Sequence, residues 1–475
     1  MDAAWLALTV VVERALAIWA SVHIILRKRD ARAAIGWTGL VWLVPFVGPA
    51  AYALFGINRI KRRAARLRSH VAHPPPGEFE DDGTAAQLAG RYADLIPIAR
   101  LADQVTRWPL VPGNRIDPLV GGDEAYPEML QAIDAATGSV ALATYIFDSD
   151  RAGARFLDTL ARAHARGVQV RVLIDGVGRR YSVPPITRAL RASGVPTSVF
   201  LDSAMPWRNP YLNLRNHRKL LVVDGRVGFT GGLNIREGCM LSLDPRHPVQ
   251  DLHFRIQGPV VRQLLETFAL DWAFTNGEVL RGAPWFVEIP AVGKTLARAV
   301  PDGPDEDFEA ISQVLLGALS QARRRVRICT PYFLPDSTLI AALNTAAMRG
   351  VAVEILIPAE CNLRFVQWAA AAQADQLLRA GCRILATPPP FDHTKLMLVD
   401  EAWVFLGSAN WDPRSLQLNF ELNVECYDED LAENLSAVTE EKFRLAKDLT
   451  LAELRQRSLP IKLRDGVVRL FSPYL

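Results

Sequence analysis

Two short segments of the chain carry the residues best suited to chemistry. The first reads H-R-K-L-L-V-V-D and supplies His217, Lys219 and Asp224; G-G-L-N follows, with Gly231, Gly232 and Asn234. The second reads H-T-K-L-M-L-V-D and supplies His393, Lys395 and Asp400; G-S-A-N follows, with Gly407, Ser408 and Asn410. In an extended chain residues two apart face the same side, so each histidine shares a face with a lysine. An isolated histidine, such as His164 or His247, is usually structural or merely exposed. One H-x-K-x-x-x-x-D match can arise by chance. Two, each followed by G-[GS]-x-N, are beyond coincidence.

The chemistry these residues suit is substitution at the phosphorus of a phosphodiester. Such a centre repels anionic nucleophiles, and its alkoxide leaves poorly. A neutral imidazole attacks without adding negative charge, and a second, protonated imidazole donates to the leaving oxygen. Lys219 and Lys395 would neutralise the non-bridging oxygens, and Asn234 and Asn410 would donate hydrogen bonds as charge redistributes. With four such donors no catalytic metal is called for. No HExxH or other strong metal spacing occurs, and no cofactor is expected. Asp224 and Asp400 are counted in the catalytic set because they complete the motif. A bracing role in the domain is expected of each rather than contact with substrate, and a solvent-side turn residue opening DG or DE is the equal alternative. Local sequence does not rank the two histidines.

Positioning two such sets needs two similar frameworks, and the sequence repeats itself. SVALATYIFDSD from Ser139 is echoed by RVRICTPYFLPD from Arg325, and RGVQVRVLID from Arg166 by RGVAVEILIP from Arg349. A third strand follows each time, after SGV at Ser193 and AGC at Ala380. Continuous apolar runs between helical patterns describe buried, mostly parallel strands of an α/β domain. The expected organisation is residues 1–68 as two membrane helices, 69–122 as linker and lead-in, and 123–288 as a first α/β domain. Residues 289–304 form a connecting segment and 305–475 a second domain. The turn-rich AVPDGPDED from Ala299 reads as a boundary or surface loop.

The 475 residues exceed one ordinary hydrophobic core. The net charge of +3 does not suggest the basic face of a nucleic-acid binder. Five widely spaced cysteines, without a C-x-x-C pair, fit a reducing compartment and buried apolar thiols. Two apolar stretches open the chain, residues 3–26 and 33–57, each long enough to cross about 30 Å of hydrocarbon as a helix. Glu13 and Arg14 are an obstacle within the first, since a charge at the bilayer centre costs about 2.5–3.5 kcal/mol. Pro45, Gly48 and Pro49 are expected to kink the second or turn it back, and a hairpin lying on the membrane surface is the alternative. Six basic residues fall between Arg59 and Arg68, against four in the connecting loop. The positive-inside rule therefore places the larger part of the chain in the cytoplasm.

The paired motifs and their surroundings resemble the phospholipase D superfamily, specifically bacterial cardiolipin synthases, over essentially the whole chain. GWTGLVWLVPFVGPAAYALFG from Gly36 resembles that family's N-terminal segment, and NLRNHRKLLVVDGRVGFTGGLNI from Asn213 its first catalytic block. RSLQLNFELNVE from Arg414 and the ending RLFSPYL are similar to its second half. The resemblance implies two phospholipase D-like α/β domains packed around one shared active site, preceded by an N-terminal membrane hairpin. It implies His217 as nucleophile, forming a phosphohistidine, and His393 as acid–base. Carboxylates further along each half, Asp251 in QDLHFRIQGP and Glu421 in LNFELN, would orient the rings. Arg215 and His253 are candidates for holding a second phosphate, and Trp411, Arg414 and Ser415 for lining the acceptor side.

The implied activity is phosphatidyl transfer between two phosphatidylglycerol molecules in a bacterial inner membrane, giving cardiolipin and glycerol. Phosphatidylethanolamine is a further candidate donor or acceptor, and anionic lipids are the expected partners. Hydrolysis to phosphatidic acid is the nearest alternative. The anchor argues against a nuclease, and the intact histidines, lysines and asparagines argue against a non-catalytic scaffold.

Overall fold

The computed structural model describes residues 3–28, 31–56, 84–202, 214–304 and 309–472. The basic stretch at 58–68 and the last three residues of the RLFSPYL ending lie outside them. The chain forms two units, Met1–Arg66 and Leu67–Leu475.

In the first unit, α1 (Ala3–Arg27) contains the one stretch among the described residues, Ala7–Arg27, that is long and apolar enough to cross a bilayer. α2 (Ala31–Leu43) has only 13 residues, about 20 Å of rise, and falls short of a hydrocarbon core. The second apolar stretch is therefore not one continuous span. The chain bends at residues 44–46 and resumes as Val47–Ala51 and a π-helical turn, Tyr52–Gly56. Proline at 45 cannot continue the helix, and the segment folds back on its neighbours. The His23 ring lies 2.7 Å from the Tyr52 hydroxyl, and Trp42 donates to Ser21 at 2.9 Å. Glu13 is buried but paired with Arg14 at 3.2 Å. Arg14 in turn reaches outward over the Trp42 ring, so the obstacle in α1 is an ion pair rather than a lone charge.

The second unit is built on one 15-stranded sheet. Its first half runs β1 (Val111–Val120), α3 (Gly121–Ala135), β2 (Ser139–Thr144), α4 (Arg151–Ala165), β3 (Gln169–Asp175) and β4 (Thr197–Phe200). It continues with β5 (Leu220–Val223), β6 (Val227–Gly231), β7 (Val249–Gln250), β8 (Leu252–Gln257) and α5 (Val260–Asn276). The second half runs β9 (Thr295–Asp302), α6 (Ala310–Gln321), β10 (Arg325–Cys329), α7 (Ser337–Met348), β11 (Ala352–Pro358), α8 (Arg364–Ala380), β12 (Arg383–Thr387) and β13 (Phe391–Asp392). It ends with β14 (Leu396–Val399), β15 (Trp403–Gly407), β16 (Glu421–Tyr427), α9 (Glu429–Leu445), β17 (Lys447–Asp448), α10 (Leu451–Gln456) and α11 (Leu459–Arg469).

Outward from the β1–β9 junction the sheet reads β1-β8-β6-β5-β2-β3-β4 one way and β9-β16-β15-β14-β10-β11-β12 the other, with β17 beyond. Two copies of one seven-strand pattern are thus joined edge to edge. The sheet is mixed rather than mostly parallel. Only β2-β3-β4 and β10-β11-β12 are parallel, because helices cross over between them; β5–β6 and β14–β15 are tight hairpins and so antiparallel.

The reading of residues 289–304 as a connection is also corrected. Residues 295–302 are β9, every one buried, paired with β16 on one side and β1 on the other. Pro301 and Asp302 disguised a central strand as a turn, and β1 likewise hides in the expected lead-in. The core beneath this junction takes Phe254, Leu264 and Phe268 from the first half and Val404, Leu422 and Leu435 from the second. The halves therefore share one interior.

Asp224 and Asp400 belong to this framework and not to the reacting centre. Asp224 opens the β5–β6 turn with φ 51°, and its carboxylate accepts from the backbone N–H groups of Thr137, Gly138 and Ser139 at 2.9, 2.7 and 2.8 Å. Burial works against its ionisation, but those amides hold its carboxyl below the usual range. Asp400, also at φ 51°, accepts from Arg323, Arg324 and Arg325 at 2.7, 2.7 and 2.8 Å. Each carboxylate thus pins a hairpin to the start of the neighbouring strand. Asp224→Ala or Asp400→Ala is expected to cost about 2–3 kcal/mol of stability, the scale of a charged acceptor removed from amides. Thermal unfolding in detergent should show a lowered midpoint while turnover per folded molecule stays within about twofold.

Candidate active site

The segments 216–219 and 392–395 run just ahead of β5 and β14, where the backbone is free to pair elsewhere. Each pairs with the opposite half. The His217 N–H donates to the Phe420 carbonyl at 2.9 Å, and the His393 N–H to the Gln250 carbonyl at 2.8 Å. Phe420 and Gln250 immediately precede the two orienting carboxylates. The pairing therefore delivers Glu421 to His217 and Asp251 to His393. His217 Nδ1 lies 2.9 and 3.0 Å from the Glu421 oxygens, and His393 Nδ1 lies 2.7 Å from Asp251 Oδ2. Each ring is thus held by the half to which it does not belong. A carboxylate can only accept, so Nδ1 of each ring carries its hydrogen and Nε2 keeps a lone pair.

The carboxylates are themselves fixed. Glu421 accepts from Ser408 Oγ at 2.6 Å and from Asn419 Nδ2 at 3.0 Å. In the first half the shorter Asp251 takes the room that a side chain at 232 would need, since a Cβ on Gly232 would strike its carboxylate. This accounts for G-G in one motif and G-S in the other.

Lys219 and Lys395 are buried, each donating to the carbonyl of the histidine two residues earlier (2.7 Å for Lys219). Burial pulls Lys219 down to about 7; nearby Glu421 opposes this and Lys395 adds to it. Burial pulls Lys395 down to about 8 against Asp251 and Glu421. The imidazoles respond similarly. Burial outweighs Glu421 and leaves His217 below its ordinary value, while burial and Lys395 bring His393 to about 4 against Asp251. Without an anion between them, both rings are neutral near pH 7.

A cleft of about 230 Å³ has both histidines, Asn234 and Asn410 on its wall. Asn234 Oδ1 accepts from the Ile146 N–H at 3.1 Å, and Asn410 Nδ2 donates to Ser415 at 3.0 Å. Arg215, Arg414 and Ser415 also line it. Arg414 feels the charge of Arg215.

Two expected contacts lie elsewhere. His253 sits behind Gly231 on β8, 1% exposed, with both ring nitrogens lacking a hydrogen-bond partner. Burial draws it to about 4, so it brings no charge to a phosphate. Trp411 is buried against Phe333, ring centroids 6.0 Å apart, and packs in the second-half core. The sequence reading missed several cleft residues. Tyr145 lies edge-on to His217 with centroids 5.1 Å apart, Lys219 Nζ is 5.5 Å from its ring, and Tyr332 lies edge-on to His393 at 6.3 Å. Arg236 and Asp412 also stand on the wall. The signal was an aromatic residue soon after the first parallel strand of each half.

The chain matches the family model described as cardiolipin synthase, PLD-like domain, over residues 129–272 and 315–443, once in each half. Residues 15–56 match the model described as phospholipase D-nuclease N-terminal. It is 33% identical over 470 residues to cardiolipin synthase A of Pseudomonas putida (strain GB-1), covering 97% of this chain and 96% of that protein. It is 32% identical over 468 residues to the major cardiolipin synthase ClsA of Bacillus subtilis (strain 168), covering 96% of each. In fold it is similar to the crystal structure of a phosphatidylserine synthase from Haemophilus influenzae Rd KW20. There the TM-score is 0.59 at 15% identity, over 80% of this chain and all of that one.

The position of Gly232 gives a direct test of the carboxylate geometry. Gly232→Ala should displace Asp251 from His393 and lower phosphodiester turnover by about tenfold or more, the scale of losing one orienting carboxylate. Ser408→Gly, which removes one bond to Glu421, should cost less. Steady-state rates with thermal midpoints measure both, and an unimpaired Gly232→Ala protein would refute the packing argument.

Proposed function

The chain belongs to the cardiolipin synthase family of phospholipase D-like proteins, and on that premise we propose that it transfers a phosphatidyl group between two phosphatidylglycerol molecules. The observation that carries the reading is the pair of imidazoles on one cleft wall, each aligned through Nδ1 by a carboxylate of the opposite half. In the first step His217 Nε2 attacks the phosphorus of the donor lipid. The bond from phosphorus to the glycerol oxygen breaks, and His393 supplies the proton that makes this oxygen a hydroxyl. In the second step His393 takes the proton of a primary hydroxyl on the acceptor lipid. That oxygen attacks phosphorus, the bond to His217 Nε2 breaks, and cardiolipin leaves; glycerol is the other product.

Neutral His217 suits the nucleophile. His393 must be protonated for the first step, and the negative charge of a bound phosphodiester raises its pKa from the low value of the empty cleft. The same charge restores protons to Lys219 and Lys395, which then face the non-bridging oxygens. Phosphatidylethanolamine shares the phosphate and would enter as donor or acceptor through the same groups. Membrane association through α1 brings the lipids within reach. The basic residues at 59–68 support placing the cleft on the cytoplasmic side of a bacterial inner membrane.

Purified protein given phosphatidylglycerol should yield cardiolipin and glycerol in equal amounts, and His217→Ala should reduce turnover by about four orders of magnitude or more, as when a nucleophile is removed. Phosphatidic acid as the main product would replace transfer with hydrolysis. A His217→Ala protein that retained activity would remove the assigned nucleophile.

The pH profile follows from the cleft. Protonation of His217 removes the nucleophile, and its lowered pKa places the acid limb of kcat/KM below pH 6.5. Because kcat/KM reports the free protein, in which His393 lies at about 4, it should decline with rising pH as His393 loses its proton. The decline should be steeper through about 7 to 8 as Lys219 and Lys395 lose theirs. The kcat limb should lie higher, because bound phosphate holds those protons. A kcat/KM that stays level to about pH 9.5 would contradict this account.

A further inference from the structure

The cleft is too small and too polar for the apolar part of a phospholipid. A second cavity of about 540 Å³, more than twice its size, lies against it. Val366 lines both spaces. Pro331 and Phe333 of the cavity flank Tyr332 of the cleft, and Cys361 of the cavity precedes Asn362 and Leu363 of the cleft. Tyr332 and Asn362, both on the cleft wall, are joined by a hydrogen bond of 2.8 Å.

The cavity owes its width to small residues. α8 carries an alanine run at 369–372 and again at 374, and Ala370, Ala371 and Ala374 form its wall. Larger side chains at these helical positions would fill the space, as core positions normally are filled. Opposite them stand Phe333, Ile357 and Ile384. α10 and α11 border the space with Leu454, Arg457 and Arg464, and Arg464 lies over Trp368 at 4.0 Å with its charge met by Asp465. On the chain segments that border the two spaces, Leu363, Phe365, Leu459, Leu463 and Phe471 are exposed apolar side chains.

We propose that this cavity receives a fatty acyl chain of the phospholipid whose phosphate lies between His217 and His393. Its volume is in the range of ligand sites, its wall is mostly apolar, with Lys447, Asp448, Glu453, Arg457 and Arg464 as its charged residues, and it adjoins the reacting centre, so one lipid can occupy both spaces. The inference rests on the proposed function and adds a chain-recognition site to it.

The test compares dioleoyl- and dibutyroyl-phosphatidylglycerol in detergent, using the full chain and the variants Ala371→Leu and Ala371→Trp. Filling the cavity should lower kcat/KM on the dioleoyl lipid by about tenfold or more, roughly the loss of two buried methylenes. On the dibutyroyl lipid it should stay within twofold. Equal losses on both lipids, or no loss on the dioleoyl lipid, would overturn the proposal. If the tryptophan variant does not fold, the smaller leucine decides by the same ratio.

A phosphatidylglycerol bearing a diazirine within one acyl chain supplies a readout independent of turnover. It should crosslink to peptides within 357–386 in wild type and less in the variants, and crosslinks found only elsewhere would overturn the assignment. Failure of the proposed function looks different: wild type would then make cardiolipin from neither lipid.

Discussion

Two backbone hydrogen bonds between the halves, from His217 to Phe420 and from His393 to Gln250, set the geometry on which the rest of the site depends. Because each acceptor precedes an orienting carboxylate, a single residue of register in either pairing would turn Glu421 or Asp251 to the opposite face. The two aligned histidines are therefore not properties of separate domains. Each becomes an aligned imidazole only when the other half is in place. The β1–β9 junction and the core shared beneath it hold the two pairings at a fixed separation.

Around this centre the protein buries an unusual amount of charge, and it does so differently in the two halves. Arg218 is held by Asp271 at 2.6 Å and also bonds the Glu421 carbonyl at 2.9 Å, bracing the strand that carries the carboxylate. The corresponding support in the second half is reversed in sign: Lys442 pairs with Asp392 at 2.9 Å and donates to Thr394 at 3.0 Å. Buried pairs of this kind contribute little net stability, because desolvation offsets attraction, but removing one partner is costly. Their effect here is to fix the approach of the histidine segments. Lys219 and Lys395 are buried beside this centre, each donating to the carbonyl of its own histidine.

The membrane and the cleft impose opposite requirements on one substrate. The phosphate needs buried donors and fixed imidazoles, whereas the chains need apolar room. The second half offers both kinds of lining side by side: polar groups around His393 in the cleft, and the alanine face of α8 in the adjoining cavity. The N-terminal unit meets the membrane with one helix of spanning length, its second apolar stretch ended by Pro45.

The sequence by itself determined the two motifs, the repeat, the α/β class and the two histidines and two asparagines of the cleft, because residue type and local spacing carry that information. His217 and Lys219, for example, share a face simply because they are two apart. Tyr145, Tyr332, Arg236 and Asp412 on the same wall carried no such pattern. The sequence favoured a bracing role for Asp224 and Asp400 over contact with substrate, but the backbone amides they accept from were visible only in the structure. Only the tertiary structure decided that Asp251 serves His393 and Glu421 serves His217, that Pro301 lies in a central strand, and that His253 and Trp411 sit behind the site. Those outcomes depend on pairing between segments up to two hundred residues apart and on which face of a strand meets a neighbour, and neither is encoded in the immediate neighbourhood of any residue.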